Sequence, residues 1–233
     1  MNAVITGGTK GIGKAIIDLL ASEGVNIAVC SRNENDLNSL KEELLSKNDS
    51  LTVITSVTDM SVKSEVIAFG QMINETWDSV DVLVNNAGLF IPGEIAKEED
   101  GALEKMINTN LYSAYHLTRT LLPKITKQKS GTIFNMCSIA SKIAYPNGGS
   151  YSISKFALLG FSKVLREELK EHGIRVTSIL PGATWSNSWA GVDLPQERLM
   201  EAQDIAKIVW NTIQLSPSAV VEEIILRPQL GDL

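Results

Sequence analysis

The sequence offers little for a disulfide, a metal ion or a membrane to use. Of its 233 residues only two are cysteine, Cys30 and Cys137. Both lie in or at the ends of apolar runs, so they form no disulfide framework and suit a reducing cytosol; a cytoplasmic location is expected. Histidine is equally scarce, with His116 and His172 alone. No Cys/His/acid cluster has metal-ligand spacing, and no metal is expected. Gly-x-Ser-x-Gly is absent and neither histidine joins a nucleophile elbow, which argues against a serine hydrolase and leaves both histidines as structural residues. No run approaches the roughly 18 apolar residues of a membrane span. Gly7 and Gly8 interrupt any apolar stretch that could serve as a secretory signal. A net charge of -6 and a pI of about 5.1, without a basic stripe, argue against nucleic acid as a partner. Proline- or glycine-rich linkers, repeats and low-complexity segments are also missing. One domain over 1–233 is therefore expected. A chain of this length buries roughly three quarters of its unfolded surface and needs no staples.

What is present is alternation. Short apolar runs occur at Ala3-Thr6, Val25-Cys30, Leu51-Thr55, Val80-Val84, Gly131-Met136, Arg175-Leu180 and Val220-Leu226. They are rich in Val and Ile and often apolar on both faces, as in strands of a parallel sheet covered on both sides. Between them lie helical stripes, such as Ile12, Ala15, Ile16, Leu19 and Leu20, or Val164, Leu165 and Leu169. Strand-helix-strand repetition predicts right-handed crossovers and an α/β, doubly wound, mostly parallel seven-stranded sheet with helices on both faces. The least regular stretch runs from about Ala183 to Pro195, within a short loop expected over about 183–200.

The first strand leads at once into "TGGTKGIG", Thr6 to Gly13. A strand, a glycine turn and a helix start form an anion site, because free N–H groups and the helix dipole face the ligand. Glycines permit positive φ and let backbone approach a pyrophosphate without a Cβ between. The spacing T-G-x-x-x-G-x-G differs from the commoner G-x-G-x-x-G. The second strand ends Cys30-Ser31-Arg32, with no acid to bond a ribose 2′-hydroxyl. Arg32 and the nearby Lys10 instead suit a 2′-phosphate. Hydrogen bonds to charged groups contribute about 1.5–3 kcal/mol each, so one or two favour NADP over NAD by roughly tenfold to several hundredfold. NADP(H) is the expected cofactor, with NAD(H) the weaker alternative. A solvated surface role for Arg32 is the competing reading.

Further on, "YSISK" sets Tyr151 and Lys155 four residues apart. On a helix both leave one face, with Cβ atoms about 5–6 Å apart. A nearby ammonium favours the phenolate and brings tyrosine toward acid–base work at neutral pH. Such pairs are common by chance, and the rest of the chain decides this one. "TGGTKGIG", "NNAG" at Asn85-Gly88, Asn110, Ser138, "YSISK" and "PG" at Pro181-Gly182 follow in an order and spacing that resembles the short-chain dehydrogenase/reductase family, in its single-domain oxidoreductase branch. The resemblance covers essentially the whole chain.

That resemblance implies roles. Tyr151 would protonate a carbonyl oxygen or deprotonate an alcohol. Lys155 would lower the Tyr151 pKa and bond the nicotinamide ribose. Ser138 would polarise the substrate oxygen, and Asn110 would kink its helix and hold a water in a proton relay. Thr6, Gly7, Thr9, Lys10, Gly11, Ile12, Gly13, Ser31, Arg32 and Val57 would form the cofactor's phosphate and adenosine side. Asn85, Ala87 and Gly88 would close over it, and Pro181, Gly182 and Thr184 would face its carboxamide and phosphates. Taken alone, Ser138 reads as a strand-end cap and Asn110 as a buried polar residue. One departure stands out: the family's Asp-Val after the third strand is Ser56-Val57 here. Asp59 either replaces that acid or caps a helix start before Ser61.

The implied partner is a small carbonyl or alcohol, an aldehyde, a ketone or a 3-oxoacyl group. Ser138, Tyr145, Tyr151, Trp185 and Trp189 are the candidate substrate contacts. Trp185 and Trp189 could instead pack on the core. A non-catalytic NADP-binding protein on the same fold is the main alternative. An epimerase or dehydratase needs more chain after Pro181. The family usually forms dimers or tetramers, and the helix from Tyr151 to about Glu171, apolar on more than one face, agrees with a homo-oligomer.

Overall fold

The computed structural model describes residues 1–185, 195 and 198–231. Seven strands form one sheet: β1 (Asn2–Thr6), β2 (Asn26–Ser31), β3 (Val53–Val57), β4 (Val82–Asn85), β5 (Gly131–Met136), β6 (Ile174–Pro181) and β7 (Glu223–Leu226). Their order is β3-β2-β1-β4-β5-β6-β7, and every neighbouring pair is parallel. The expected doubly wound sheet is therefore present and wholly parallel. Its chain order reverses between β1 and β4, and the carboxyl ends there, Thr6 and Asn85, open a crevice where such sheets take ligands.

Helices cover both faces. Beneath α1 (Gly11–Ser22), α2 (Glu34–Lys47) and α7 (Ala202–Ile213), one core gathers Ile16, Ile17, Leu20, Leu37, Leu44, Ile205 and Val209 around Ile5, Ile27 and Val29. Beneath α3 (Lys63–Thr76), α5 (Ser113–Gln128) and α6 (Gly149–Leu169), a second gathers Phe69, Ile73, Leu117, Leu121 and Leu165 around Val4, Leu83 and Ile133. Adjacent residues of one strand serve opposite cores, which is why the strands read as continuous apolar runs.

Strand ends shift where side chains intercept the backbone. The run at Leu51-Thr55 begins pairing at Val53, because the Leu51 and Thr52 N–H groups donate to Asn48 and to the Asn26 side chain. Val80 precedes β4 because its N–H donates to the Gln128 side chain at 2.9 Å. β7 starts at Glu223 rather than Val220. Ser56 and Val57 consequently end β3 instead of following it.

A short helix, α4 (Ala102–Ile107), runs into a π-helical turn at Asn108–Tyr112 and then into α5. The expected irregularity at Asn110 is this π turn.

Candidate active site

The crevice floor is the glycine turn. Gly7 and Gly11 hold φ of 64° and 56°, the left-handed region that disfavours side chains. A Cβ on Gly13 would lie 2.5 Å from the Gly7 carbonyl oxygen and 2.5 Å from Asn86 Nδ2. No side chain caps α1, so its first N–H groups face outward. Asn86 clamps the turn, donating from Nδ2 to the Thr6 and Gly7 carbonyls at 2.9 and 3.1 Å. The Thr6 hydroxyl accepts the Asn86 and Ala87 N–H groups at 3.0 and 2.9 Å. An uncapped helix start behind glycines that no Cβ could replace is a cradle for a dinucleotide phosphate.

Asn85 lies elsewhere than the resemblance implied. It is buried in the sheet, donating to Thr118 and Asn135, whereas its neighbour Asn86 meets the glycine turn. The second asparagine of "NNAG" carries no role in the family resemblance above; strand alternation, which turns Asn85 and Asn86 to opposite sides, is the signal that marks it.

At the adenosine end, Lys10 pairs with Asp36 of α2 at 2.8 Å. Arg32 is exposed just past β2, and the Ser31 hydroxyl bonds Asn33. Thr9 lies in the turn and Ile12 in the first turn of α1. Val57 is exposed at the end of β3. Asp59 accepts from the Ser61 N–H and hydroxyl at 2.8 and 2.7 Å. These bonds, backed by the Arg32 charge, hold its carboxyl below the usual range. Asp59 thus shapes the turn ahead of α3, whose preceding residue is Val62.

The reacting end is assembled from four elements. Tyr151 and Lys155 lie one turn apart on α6. Lys155 Nζ stands 5.8 Å from the Tyr151 ring centroid and donates to the Met136 carbonyl at 2.7 Å. Ser138, just past β5, lies beside the Tyr151 hydroxyl and pulls its pKa down. It also caps a 3₁₀ turn, accepting from Ala140 N–H while its own N–H donates to Ser141. The cap that the residue suggested by itself and the site position are therefore both present. From the π turn, Asn110 Oδ1 accepts from Leu89 N–H at 2.6 Å. Its Nδ2 donates to the Leu89 carbonyl at 2.9 Å and to Ser154 Oγ at 2.8 Å. Gly88 lies between them: a Cβ there would be 3.5 Å from Asn110 Oδ1 and 3.6 Å from Lys155 Nζ.

Burial sets the electrostatics. Desolvation pushes the Lys155 ammonium down to about 8. It pushes the Tyr151 hydroxyl up. The expected lowering of Tyr151 by Lys155 is not found: burial sets the direction, and the opposing pull comes from Ser138. Tyr145, half-exposed, is raised to about 12 by burial and by Tyr151. Phe90 packs edge-on against the Tyr151 ring at 4.8 Å.

Pro181 ends β6, and Gly182 N–H donates to the Leu226 carbonyl at 2.7 Å. Thr184 is buried, its hydroxyl bonding the Gly182 carbonyl at 3.0 Å. Trp185 is partly exposed and donates its N–H to Met200 at 2.8 Å. Trp189 and most of the 183–200 segment lie outside the described residues. His116 packs against Tyr112 and Tyr115 on the outer side of α5, and His172 closes a 3₁₀ turn after α6. Among the described residues no group of three His, Cys, Asp or Glu side chains could hold a metal. No helix among them is long and apolar enough to cross a membrane.

This arrangement has counterparts. An uncharacterized oxidoreductase of Staphylococcus saprophyticus is 31% identical over 226 residues, covering 97% of this chain and 96% of its own. The alcohol dehydrogenase of the archaeon Thermococcus sibiricus, solved with 5-hydroxy-NADP, superposes with a TM-score of 0.89 at 27% identity, over 98% of this chain and 96% of its own. L-Sorbose reductase of Gluconobacter frateurii, solved with NADPH and L-sorbose, gives 0.88 at 25% identity, over 97% and 95%. The sequence profile of the short chain dehydrogenases matches residues 1–196, and with the glycine turn and the Ser138–Tyr151–Lys155 group in place, the chain belongs to the short-chain dehydrogenase family of oxidoreductases.

Proposed function

We propose that this protein is an NADP(H)-dependent oxidoreductase that interconverts a carbonyl and an alcohol, with Tyr151 as general acid and base. The observation that carries this reading is the meeting of Tyr151, Ser138 and Lys155 above an uncapped helix start. When bound, the nicotinamide supplies or takes up the hydride. Thr6, Gly7, Thr9, Gly11, Ile12 and Gly13 would hold the pyrophosphate, with Ala87, Gly88, Pro181, Gly182 and Thr184 toward the nicotinamide. Lys10, Ser31 and Arg32 would hold the 2′-phosphate, and Val57 would border the adenine. For the phosphate to reach Lys10, Asp36 must share or yield it. The absence of an acid at the tip of β2, Ser31-Arg32, supports NADP, with NAD as the weaker cofactor. The NADP and NADPH bound by the structural relatives support the same choice.

As a C–H bond forms at the carbonyl carbon, the π electrons move to oxygen. Ser138 and Tyr151 donate hydrogen bonds to that oxygen, stabilising the developing charge. The Tyr151 proton then passes to it, leaving a phenolate. Lys155 lies beside that phenolate and can hold a proton for it, and Asn110 fixes the backbone at Leu89 next to the relay. Burial raises the Tyr151 pKa, so the hydroxyl carries the proton that the carbonyl oxygen takes up. Tyr145 and Trp185 border the substrate side.

The two cysteines are free and buried, which supports a reducing cytoplasm. Exposed Ile153, Phe156 and Val164 on α6 support a homo-oligomer.

The test is NADPH and NADH oxidation by the purified protein against aldehydes, ketones and ketoacyl thioesters, beside Tyr151→Phe. NADPH turnover with at least one carbonyl is expected, lowered by about 10²–10⁴-fold in Tyr151→Phe with NADPH still bound. NADPH binding with no turnover by either protein would favour a non-catalytic NADP-binding protein.

A further inference from the structure

The helix that carries Tyr151 has no cap of its own. Gly148 stands at its start and offers no side chain, so the first N–H groups need a partner from elsewhere. That partner is 52 residues upstream. Glu98 Oε1 accepts the Ser150 N–H at 2.8 Å, and Glu98 Oε2 accepts the Ser150 hydroxyl. Ser150 is buried and directly precedes Tyr151.

The carboxylate occupies a slot made of glycine. A Cβ on Gly149 would run into the Glu98 carboxylate and lie 2.5 Å from the Gly93 carbonyl oxygen. A Cβ on Gly93 would lie 2.6 Å from Glu98 Cγ. Gly93 N–H donates to the Asn147 carbonyl at 3.0 Å, and Gly93 bridges Gly148 in parallel. An anion at this helix end is also favoured by the helix dipole.

The same segment touches the reacting end twice more. Leu89 is held on both backbone groups by Asn110, and Phe90 lies against the Tyr151 ring. Residues 89–98 therefore form a strap, tied at one end to the π turn and at the other to the first turn of α6. We propose that Glu98 is a positioning residue for Tyr151: it fixes the tyrosine's turn of helix from across the site without touching the reactants. This rests on the reading of Tyr151 as the proton donor.

Misplacing a reacting group by about 1 Å can cost about 10²-fold in rate. Glu98→Ala is expected to lower kcat about tenfold or more, with the NADPH dissociation constant and carbonyl KM changed less than about threefold. Glu98→Gln keeps one acceptor and adds one donor toward Ser150, and is expected to recover kcat to within about threefold of wild type. Ser150→Ala, which keeps the backbone bond, should fall between them. Amide exchange across residues 148–153, followed by mass spectrometry, should speed up in Glu98→Ala and return in Glu98→Gln. That readout needs no substrate. Wild-type kcat in Glu98→Ala overturns the proposal, as does slowed turnover with unchanged exchange at the start of α6 or without recovery in Glu98→Gln. If wild type itself reduces no carbonyl, the oxidoreductase reading falls. Faster exchange in Glu98→Ala then still upholds the cap, and unchanged exchange overturns it.

Discussion

A buried lysine without a carboxylate partner is costly, and Lys155 is one. Among the described residues its hydrogen bond goes to the Met136 carbonyl, and burial lowers its pKa from 10.5 to about 8. Below pH 8 both folded and unfolded chains carry the charge, and the folded state bears the full desolvation cost. Between about 8 and 10.5 the unfolded chain binds more protons, so stability rises with pH. Above that range both states are neutral and the cost is gone. Lys155→Met should therefore abolish turnover yet stabilise the fold at pH 7, by about 3 kcal/mol at most. The gain should be smaller than that because the Met136 carbonyl loses its donor. Urea unfolding at pH 7 and pH 10 checks this, with the gain shrinking at the higher pH. Equal stability differences at both values would contradict a depressed Lys155 pKa. Retention of such a residue fits a role in chemistry better than one in packing.

Elements meet here at points that exclude side chains. The start of α1 packs so closely on the β1 turn that Gly13 has no room for a Cβ, with Gly7 O, Asn86 Nδ2 and Gly8 Cα all within 3.0 Å of it. Gly13→Ala must push the turn and Asn86 apart. It should weaken NADPH binding at least about tenfold and destabilise the fold by about 1–3 kcal/mol, read by fluorescence titration and thermal melting. Gly160, inside α6, faces open space. Gly160→Ala should leave NADPH binding unchanged and add about 0.5–1 kcal/mol to the stability of the single chain, while an oligomer formed through Phe156 and Val164, one turn away on either side, should weaken. The contrast separates a glycine needed for approach from one that is merely present. The π turn at Asn108–Tyr112 is a second such joint. By widening the helix for one turn it aims Asn110 at Leu89 and Ser154 instead of along its own ladder.

At the scale of the whole molecule, each sheet face is covered and the site opens where chain order reverses. Among the exposed hydrophobic residues is an apolar stretch of α6, where Phe156 and Val164 are 45% and 55% exposed, with Tyr112 and Tyr115 partly exposed on the π turn and α5. A second copy of the chain would remove this surface from water. Size-exclusion chromatography with light scattering should show an oligomer for wild type and a smaller species for Phe156→Glu/Val164→Glu. A wild-type monomer would end the homo-oligomer reading.

Sequence alone determined the sheet, because apolar runs at regular spacing can be satisfied in few ways once both faces must be covered. It also determined the glycine turn and the Tyr151–Lys155 pair, since these depend on spacings along a single strand–helix joint or a single helix. Tertiary structure decided whatever depends on residues far apart in the chain. Asn86, not Asn85, holds the glycine turn, because strand alternation sends Asn85 into the sheet. Asp36 lies beside Lys10 because β1 and β2 are parallel neighbours, which brings the starts of α1 and α2 to one edge of the sheet. Burial, rather than the neighbouring ammonium, governs the proton on Tyr151. Glu98 in "AKEED" looks like any solvated acid, and only the fold carries it 52 residues along the chain to the first turn of α6. Local periodicity encodes elements, whereas a cap, a counter-ion or a desolvated proton exists only once distant segments share one small volume.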